Sequence, residues 1–308
     1  MPTDDGVARA EALKQQVREQ LRSLNSGDQW RGWLDAAVAF PKQEFENLVL
    51  IATQRPDATR IASAGEWHEL GRHIDVDEKA IQLLSNTQAS SSEQHDDRSA
   101  LKVIEYWDVS QTFGQPLPVT LDGRRAGPVP DGLWSRLSSI AQGLGFHAAR
   151  ERLSPPDLAS VIDYDESVVI VSEDFNDAEA VSMLAHEVAH LVMHSSYLEG
   201  AANKIESQEL LEIEAMSVEY LIVKPHGILR EPAFDLIPDW IRSIDPRDVE
   251  QKVQQLAQRV FAVAKPIMEA TSTPMLAVGN LLTPARTRHL IVAPSSPSDT
   301  EPPIDRGP

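Results

Sequence analysis

The pentapeptide His186-Glu187-Val188-Ala189-His190 constrains this chain more than any other feature, because it puts three ionisable side chains into a run that otherwise belongs in a core. Residues 180–193, AVSMLAHEVAHLVM, are apolar almost throughout. Asn176 precedes the run with Glu179 three residues on, the pattern of a reciprocal N-terminal cap, so a helix carried into the interior is expected. Helical residues four apart differ by about 40° in azimuth, so the imidazoles of His186 and His190 can reach one point. Burying two histidines and a glutamate is costly unless something binds them.

The spacing is the HExxH signature, in which the two histidines hold zinc and the glutamate, here Glu187, takes a proton from water at the metal's open position. The 308-residue chain has no cysteine, which removes disulfide frameworks and thiolate sites and leaves only histidine and carboxylate ligands. A catalytic zinc needs three protein ligands and an open position. The metzincin pattern would supply the third as histidine at 196 after glycine at 193; the chain has Ser196 and Met193, so that class is excluded. His194 continues the series about 40° further round the helix, which suits a residue at the helix end or beneath the ligands better than a ligand. The remaining source is a glutamate on a second helix. Residues 207–223, SQELLEIEAMSVEYLIV, place Leu210, Ile213, Ser217, Val218 and Leu221 on one face, and Pro225 stops the helix. Glu212 and Glu214 both sit among these positions.

The pair HEVAHLVMH and EIEAMSVEYLIVKP resembles the zinc-peptidase domain of the ImmA/IrrE group and of ArdC-type antirestriction proteins, a HExxH helix followed by an E-x-E-A helix that ends near proline. The resemblance implies Glu212 as third ligand, with Glu214 as the fallback. It departs at Met216, where the family carries a polar or acidic residue able to support a ligand histidine. The apolar run VVIV at 168–171 suits the edge strand along which such peptidases lay an extended substrate, and equally a core strand.

Net charge, −19, argues against a general nucleic-acid binder. The first 150 residues carry 16 Lys and Arg against 21 Asp and Glu, and the rest 12 against 26, so most of the acidity lies in the half with the HExxH motif. The N-terminus has no basic segment followed by an apolar one, and no apolar run approaches a membrane span, so a cytoplasmic protein without membrane contact is expected. Helices are predicted over 8–25, over 28–54 with a break near Pro41, over 133–144 and over 248–270; strands are predicted at 81–85, 101–109 and 146–150. The predicted class is α+β in two domains: 8–115, a linker at 116–132, a zincin-like domain at 133–272 with its HExxH helix and glutamate-bearing second helix, and a disordered tail at 291–308.

In the first half, Trp30, Trp33, Trp67 and Trp107 could stack on bases, although tryptophans more often serve the core. The order of segments says more. FENLVLIATQRPDATRI (45–61), Trp67, LGRHIDVDEKAI (70–81) and WDVSQTFGQPLP (107–118) resemble the N-terminal domain of ArdC-type proteins. With the second half, the resemblance spans roughly residues 10–270. It implies a single-stranded-DNA-binding domain joined to a zinc metallopeptidase, with Trp67, Arg72 and Lys79 as candidate DNA contacts and an unidentified protein substrate. The family's Lys-Gly-Glu-Lys-Gly turn is Val76-Asp77-Glu78-Lys79-Ala80 here, which predicts weakened phosphate contact. His186, His190 and Glu212 are thus expected to hold Zn2+, with Glu187 as catalytic base. Two alternatives stand beside this: a DNA-coating protector whose metal site is not catalytic, and an ImmA-like peptidase that cleaves a repressor. Tyr197, Tyr220 and His226 are the nearby candidates for oxyanion support.

Overall fold

The computed structural model describes residues 4–86, 101–117, 132–198, 207–228 and 234–272, and the architecture is mixed α and β. The predicted tail at 291–308 and most of the predicted linker lie outside the described residues. No helix among the described residues is long and apolar enough to cross a membrane.

Three helices open the chain: α1 (Asp4–Arg22), α2 (Gly27–Ala39) and α3 (Phe45–Gln54). The apolar face read from sequence, Leu13, Val17, Leu21 and Leu24, is buried. The expected break near Pro41 separates α2 from α3. A meander follows, with β1 (Ile61–Ala62), α4 (Ala64–Glu69), β2 (Arg72–Ile74), β3 (Ile81–Asn86), β4 (Leu101–Asp108) and β5 (Thr112–Gly114). Strands β1, β4 and β3 form one antiparallel sheet in that order, and β2 pairs with β5 in a second. The outer edge of β3 is sealed by side chains of α3. The Asn47 amide exchanges two 2.9 Å hydrogen bonds with the backbone of Leu84, and Gln54 does the same at Gln82. Two amides seven residues apart on one helix therefore replace a neighbouring strand.

The second half begins with α5 (Leu133–Gly143) and a three-stranded sheet of β6 (His147–Glu151), β7 (Ser160–Asp163) and β8 (Val168–Ser172), ordered β6-β8-β7. Strand β8 pairs with β6 in parallel and with β7 antiparallel. The VVIV run is thus the central strand, paired on both sides; the sheet's edges are β6 and β7. Val169 and Val171 are buried and Val168 and Ile170 half-buried, so even the outer face is partly covered, as in a strand with neighbours on both sides, which is the physical reason the edge reading does not hold. The helices α6 (Asp177–Leu198), α7 (Gln208–Val223), α8 (Leu236–Ser243) and α9 (Val249–Ser272) complete the fold. The Asn176 cap forms as expected: its carbonyl oxygen accepts from the backbone of Ala178 and Glu179, and Glu179 returns a bond to the Asn176 N–H.

One apolar core runs through both halves, from Leu13 to Ile267. The Trp30 indole of α2 donates to Ser217 Oγ on α7 at 2.9 Å, and the Tyr220 hydroxyl of α7 donates to Asp35 of α2 at 2.8 Å. Phe45 meets Phe261 of α9 at 5.7 Å between ring centroids. Gly27, at the start of α2, lies so close to the chain entering α8 that a Cβ there would stand 2.7 Å from the carbonyl oxygen of Phe234. Only glycine permits that approach.

Candidate metal centre

Helix α6 is buried along most of its length, and the histidines that interrupt its apolar sequence all point toward α7. His186 and His190 turn their Nε2 atoms toward each other at 3.1 Å. From α7, the two Glu212 carboxylate oxygens approach one histidine each, Oε2 at 3.5 Å from His186 Nε2 and Oε1 at 3.5 Å from His190 Nε2. These three residues form the one group among the described residues whose donor atoms could share an ion, all within 4.8 Å of one another. A tetrahedral zinc with bonds of roughly 2.0–2.1 Å holds its ligand atoms about 3.3 Å apart. The histidine nitrogens at 3.1 Å and the nearest carboxylate oxygens at 3.5 Å lie close to that value, so two imidazoles and a carboxylate fit such an ion in chemistry and, with a small turn of the carboxylate, in spacing.

The charges in this cluster are mutually dependent. Burial opposes a charge on His186, but hydrogen bonds to Glu212 and Glu219 outweigh it and push its pKa up to about 10. Burial likewise opposes the Glu212 carboxylate, and the His186 and His190 rings beside it hold its pKa well below the usual range nevertheless. A proton on His186 therefore does in the metal-free protein what a cation would do in the loaded one: it reconciles buried carboxylates with their surroundings.

Behind the three donors lies a second set of polar side chains that the sequence reading did not identify. Glu219 accepts from His186 Nδ1 at 3.2 Å and from the Ser182 hydroxyl. It stands seven residues after Glu212, about 20° away in azimuth, so α7 presents both carboxylates on one face. That spacing was the available signal. Glu219 also supplies the support that the apolar Met216 does not. His194 is no closer to the three donors than its predicted supporting place: its Nδ1 meets His190 Nδ1 at 2.9 Å and its Nε2 meets Glu214 at 3.0 Å. Glu214 in turn takes a hydrogen bond from Arg259 of α9. The fallback ligand is thus engaged away from the histidine pair, while Glu212 faces it.

Glu187 is buried and turns toward the sheet, where the Ser160 hydroxyl of edge strand β7 donates to it at 2.5 Å. Tyr164 lies near enough that burial, and then the charge of Glu187, push its phenol well above its ordinary pKa. Neither partner was legible, because β7 is four residues long and its pairing is set by β8 rather than by its own pattern. Tyr220 faces α2 and contacts Lys224 at 2.7 Å, so it does not serve the centre. The side chain of Tyr197 lies outside the described residues, and His226 is partly buried, so that burial first and the nearby Arg136 charge second hold its pKa down.

The three residues expected at DNA do not form a comparable group. Trp67 is wholly buried and its indole donates to the Trp107 carbonyl at 2.8 Å, which corrects the stacking reading: an enclosed ring offers no face to a base. Arg72 spends three donors on Thr112 Oγ1, the Thr112 carbonyl and the Gln115 carbonyl, holding the β2–β5 pair together. Lys79 is exposed. The exposed rings nearby are His68, His73 and Phe113, which contact one another in series at 5.7 and 5.8 Å.

No family model matches the chain, and neither does any curated protein. Among solved structures it is similar to the antirestriction protein ArdC of plasmid R388. The Mn(II)-bound form is 16% identical over 74% of this chain and 88% of that one, with a TM-score of 0.47. The metal-free form is 16% identical over 73% and 82%, with a TM-score of 0.48.

Proposed function

We propose that this chain is a zinc-dependent peptidase of the ArdC-type antirestriction class, with single-stranded DNA as the partner of its N-terminal half. The observation that carries the peptidase reading is the convergence of His186, His190 and Glu212 within 4.8 Å beside a buried Glu187. A structural ion has no use for a buried glutamate close enough to His186 to act on its charge and held by only one of its oxygens, at Ser160 of edge strand β7. The antirestriction and DNA readings rest on the order of motifs in residues 45–118.

Bound zinc supplies Lewis acidity, which polarises a scissile carbonyl and acidifies water. Glu187 receives the proton of the attacking water and passes it to the departing amine. Ser160 donates to one oxygen of Glu187 and fixes the direction of the other. Glu219 accepts the Nδ1 proton of His186, which leaves the Nε2 lone pair directed at the ion.

Metal analysis of the purified protein is expected to find about one zinc per chain. Glu187→Gln is expected to keep that metal while peptide cleavage falls by about 100- to 10,000-fold. Equal cleavage by mutant and wild type would assign the proteolysis to another route. Stoichiometric metal with no cleavage by either would leave the non-catalytic protector.

A second reading, the repressor-cleaving peptidase, has one observation in its favour: Trp67 and Arg72 are committed to the fold rather than to a ligand. Anisotropy titration of the full chain with a labelled oligonucleotide at two salt concentrations separates the two. Binding that weakens as salt rises supports DNA. No binding at low salt makes the N-terminal half a protein-recognition surface.

A further inference from the structure

Glu219 gives His186 a direct carboxylate support, but His190 has none; its Nδ1 meets a third histidine instead. Beyond that histidine the polar contacts continue to the rim of the molecule, and each contact restricts the direction of the next. Arg259 is always protonated and can only donate, so Glu214 Oε1 accepts. Glu214 is buried with its other oxygen 3.0 Å from His194 Nε2, and a carboxylate held by arginine is an acceptor there too. His194 Nε2 therefore carries a proton. For His190 to offer Nε2 to an ion, its own Nδ1 must carry the proton, and the acceptor it meets is His194 Nδ1 at 2.9 Å. The opposite arrangement would place a proton on His190 Nε2, between it and the ion.

We propose that His194 is a positioning residue, the middle of a relay Arg259–Glu214–His194–His190 that fixes which ring nitrogen of His190 is free to bind metal. The relay rests on the reading that His186, His190 and Glu212 form the metal site. It runs between helices: His190 and His194 stand on α6, Glu214 on α7 and Arg259 on α9. Helix α9 also takes contacts from the N-terminal half, through Arg22 to Glu250 at 2.7 Å and Gln254 to Glu46 at 3.0 Å. The direction of a ligand histidine is thus set from a helix that both halves hold. The contact with His190 also accounts for a third histidine at this spacing on a buried helix face, where a leucine would otherwise pack.

The test compares His194→Phe, which keeps a ring and removes the acceptor, with His194→Asn, whose side-chain oxygen lies near the position of Nδ1, and with Arg259→Met at the far end. Two measurements are made on the full chain. One is the apparent Kd for Co(II) by chelator competition, read together with the visible band of the bound ion. The other is the protonation pattern of the His190 ring in metal-free protein by nitrogen-correlated NMR. Wild type is expected to show His190 protonated at Nδ1. His194→Phe is expected to lose that pattern and to weaken Co(II) by about 10- to 100-fold, the usual cost of removing a ligand's support. His194→Asn is expected to recover most of the affinity, and Arg259→Met to lose less than His194→Phe. Unchanged ring protonation and unchanged Kd in His194→Phe would overturn the relay, as would an equal loss in Phe and Asn variants whose metal-free melting matches wild type. If wild type binds no Co(II), the metal-site reading fails, and the NMR comparison still decides the relay.

Discussion

The α6–α7 pair and the segment from α3 to β5 carry equally recognisable sequence patterns, yet they use their polar residues in opposite ways. At α6–α7 the marked side chains converge: two histidines and Glu212 share one point, and Glu219, His194 and Glu214 stand behind them. Between α3 and β5 they turn back on the fold. Asn47 and Gln54 seal β3, and Asp108 takes the N–H groups of Thr59, Arg60 and Ser110. Gln111 ties the segment at 78–79 through Glu78 and the Lys79 carbonyl, while Arg72 holds β5. A recognisable pattern therefore gathers a candidate site in one region and a scaffold in the other. What separates them is how buried charge is satisfied: Asp108 is buried alone and filled by backbone N–H groups, whereas the α6–α7 groups meet chiefly one another. Ionisable groups collected inside a core require a partner, whereas amides and arginines that satisfy backbone groups are complete as they stand.

The sharpest way to break this comparison is to remove a ligand. His190→Ala is expected to lower zinc affinity by at least about 1,000-fold with the secondary structure intact, since two donors cannot complete the site. Retention of stoichiometric zinc, measured by metal analysis after dialysis, would mean that the convergence is not a metal site. On the other side, Trp67→Ala is expected to cost about 3–5 kcal/mol of stability in a denaturant titration, as for any large buried aromatic. Loss of DNA binding by Trp67→Phe at unchanged stability would instead make Trp67 a contact residue.

A smaller effect tests the exchange between proton and metal. In the metal-free protein the His186 proton, held up to a pKa of about 10 against an ordinary 6.5, stabilises the fold fully below about pH 6.5. That contribution declines above 6.5 and is gone once the pH has risen through about 10. Metal-free protein should accordingly melt at a lower temperature at pH 10 than at pH 7, and the zinc-loaded form should lose less. Because the same proton must leave before metal enters, zinc affinity should fall about 100-fold from pH 8 to pH 6. A pH-independent affinity would show that His186 is not a ligand. The smallest effect is expected at Lys79. Lys79→Ala should change oligonucleotide affinity by no more than about threefold at moderate salt, the share of one phosphate contact. A much larger loss would place a DNA site in the region read here as scaffold.

The helices that carry the site were legible because their apolar periodicity, caps and ionic interruptions are all local. The N-terminal cap at Asn176, the stop near Pro225 and the pairing of HEVAH with a glutamate helix each follow from residues within a few turns. Glu219 was legible in principle, one heptad after Glu212, but glutamates on helices are usually solvated and nothing local sets this one apart. Ser160 could not be read, since its importance depends on a strand that exists only by pairing with β8. Trp67 and Arg72 were read by residue type, and type does not distinguish a stacking ring from a core ring. The contact of Trp30 with Ser217 spans 187 residues of sequence, and no window along the chain contains both.

That contact has a mechanical meaning. Glu212, Glu214 and Glu219 reach their partners only if α7 keeps one rotational setting about its own axis. Side-chain tips lie about 5–6 Å from a helix axis, so a roll of 20° would carry the Glu212 carboxylate about 2 Å sideways. Metal–ligand bonds tolerate about a tenth of that. Apolar packing alone resists such a roll weakly, because leucines and isoleucines slide past one another with little directional preference. The indole of Trp30 grips Ser217, about 140° round α7 from Glu212, and Asp35 grips Tyr220 three residues further on. Helix α2 therefore works as a detent, holding the camshaft at the single angle at which its three carboxylates engage.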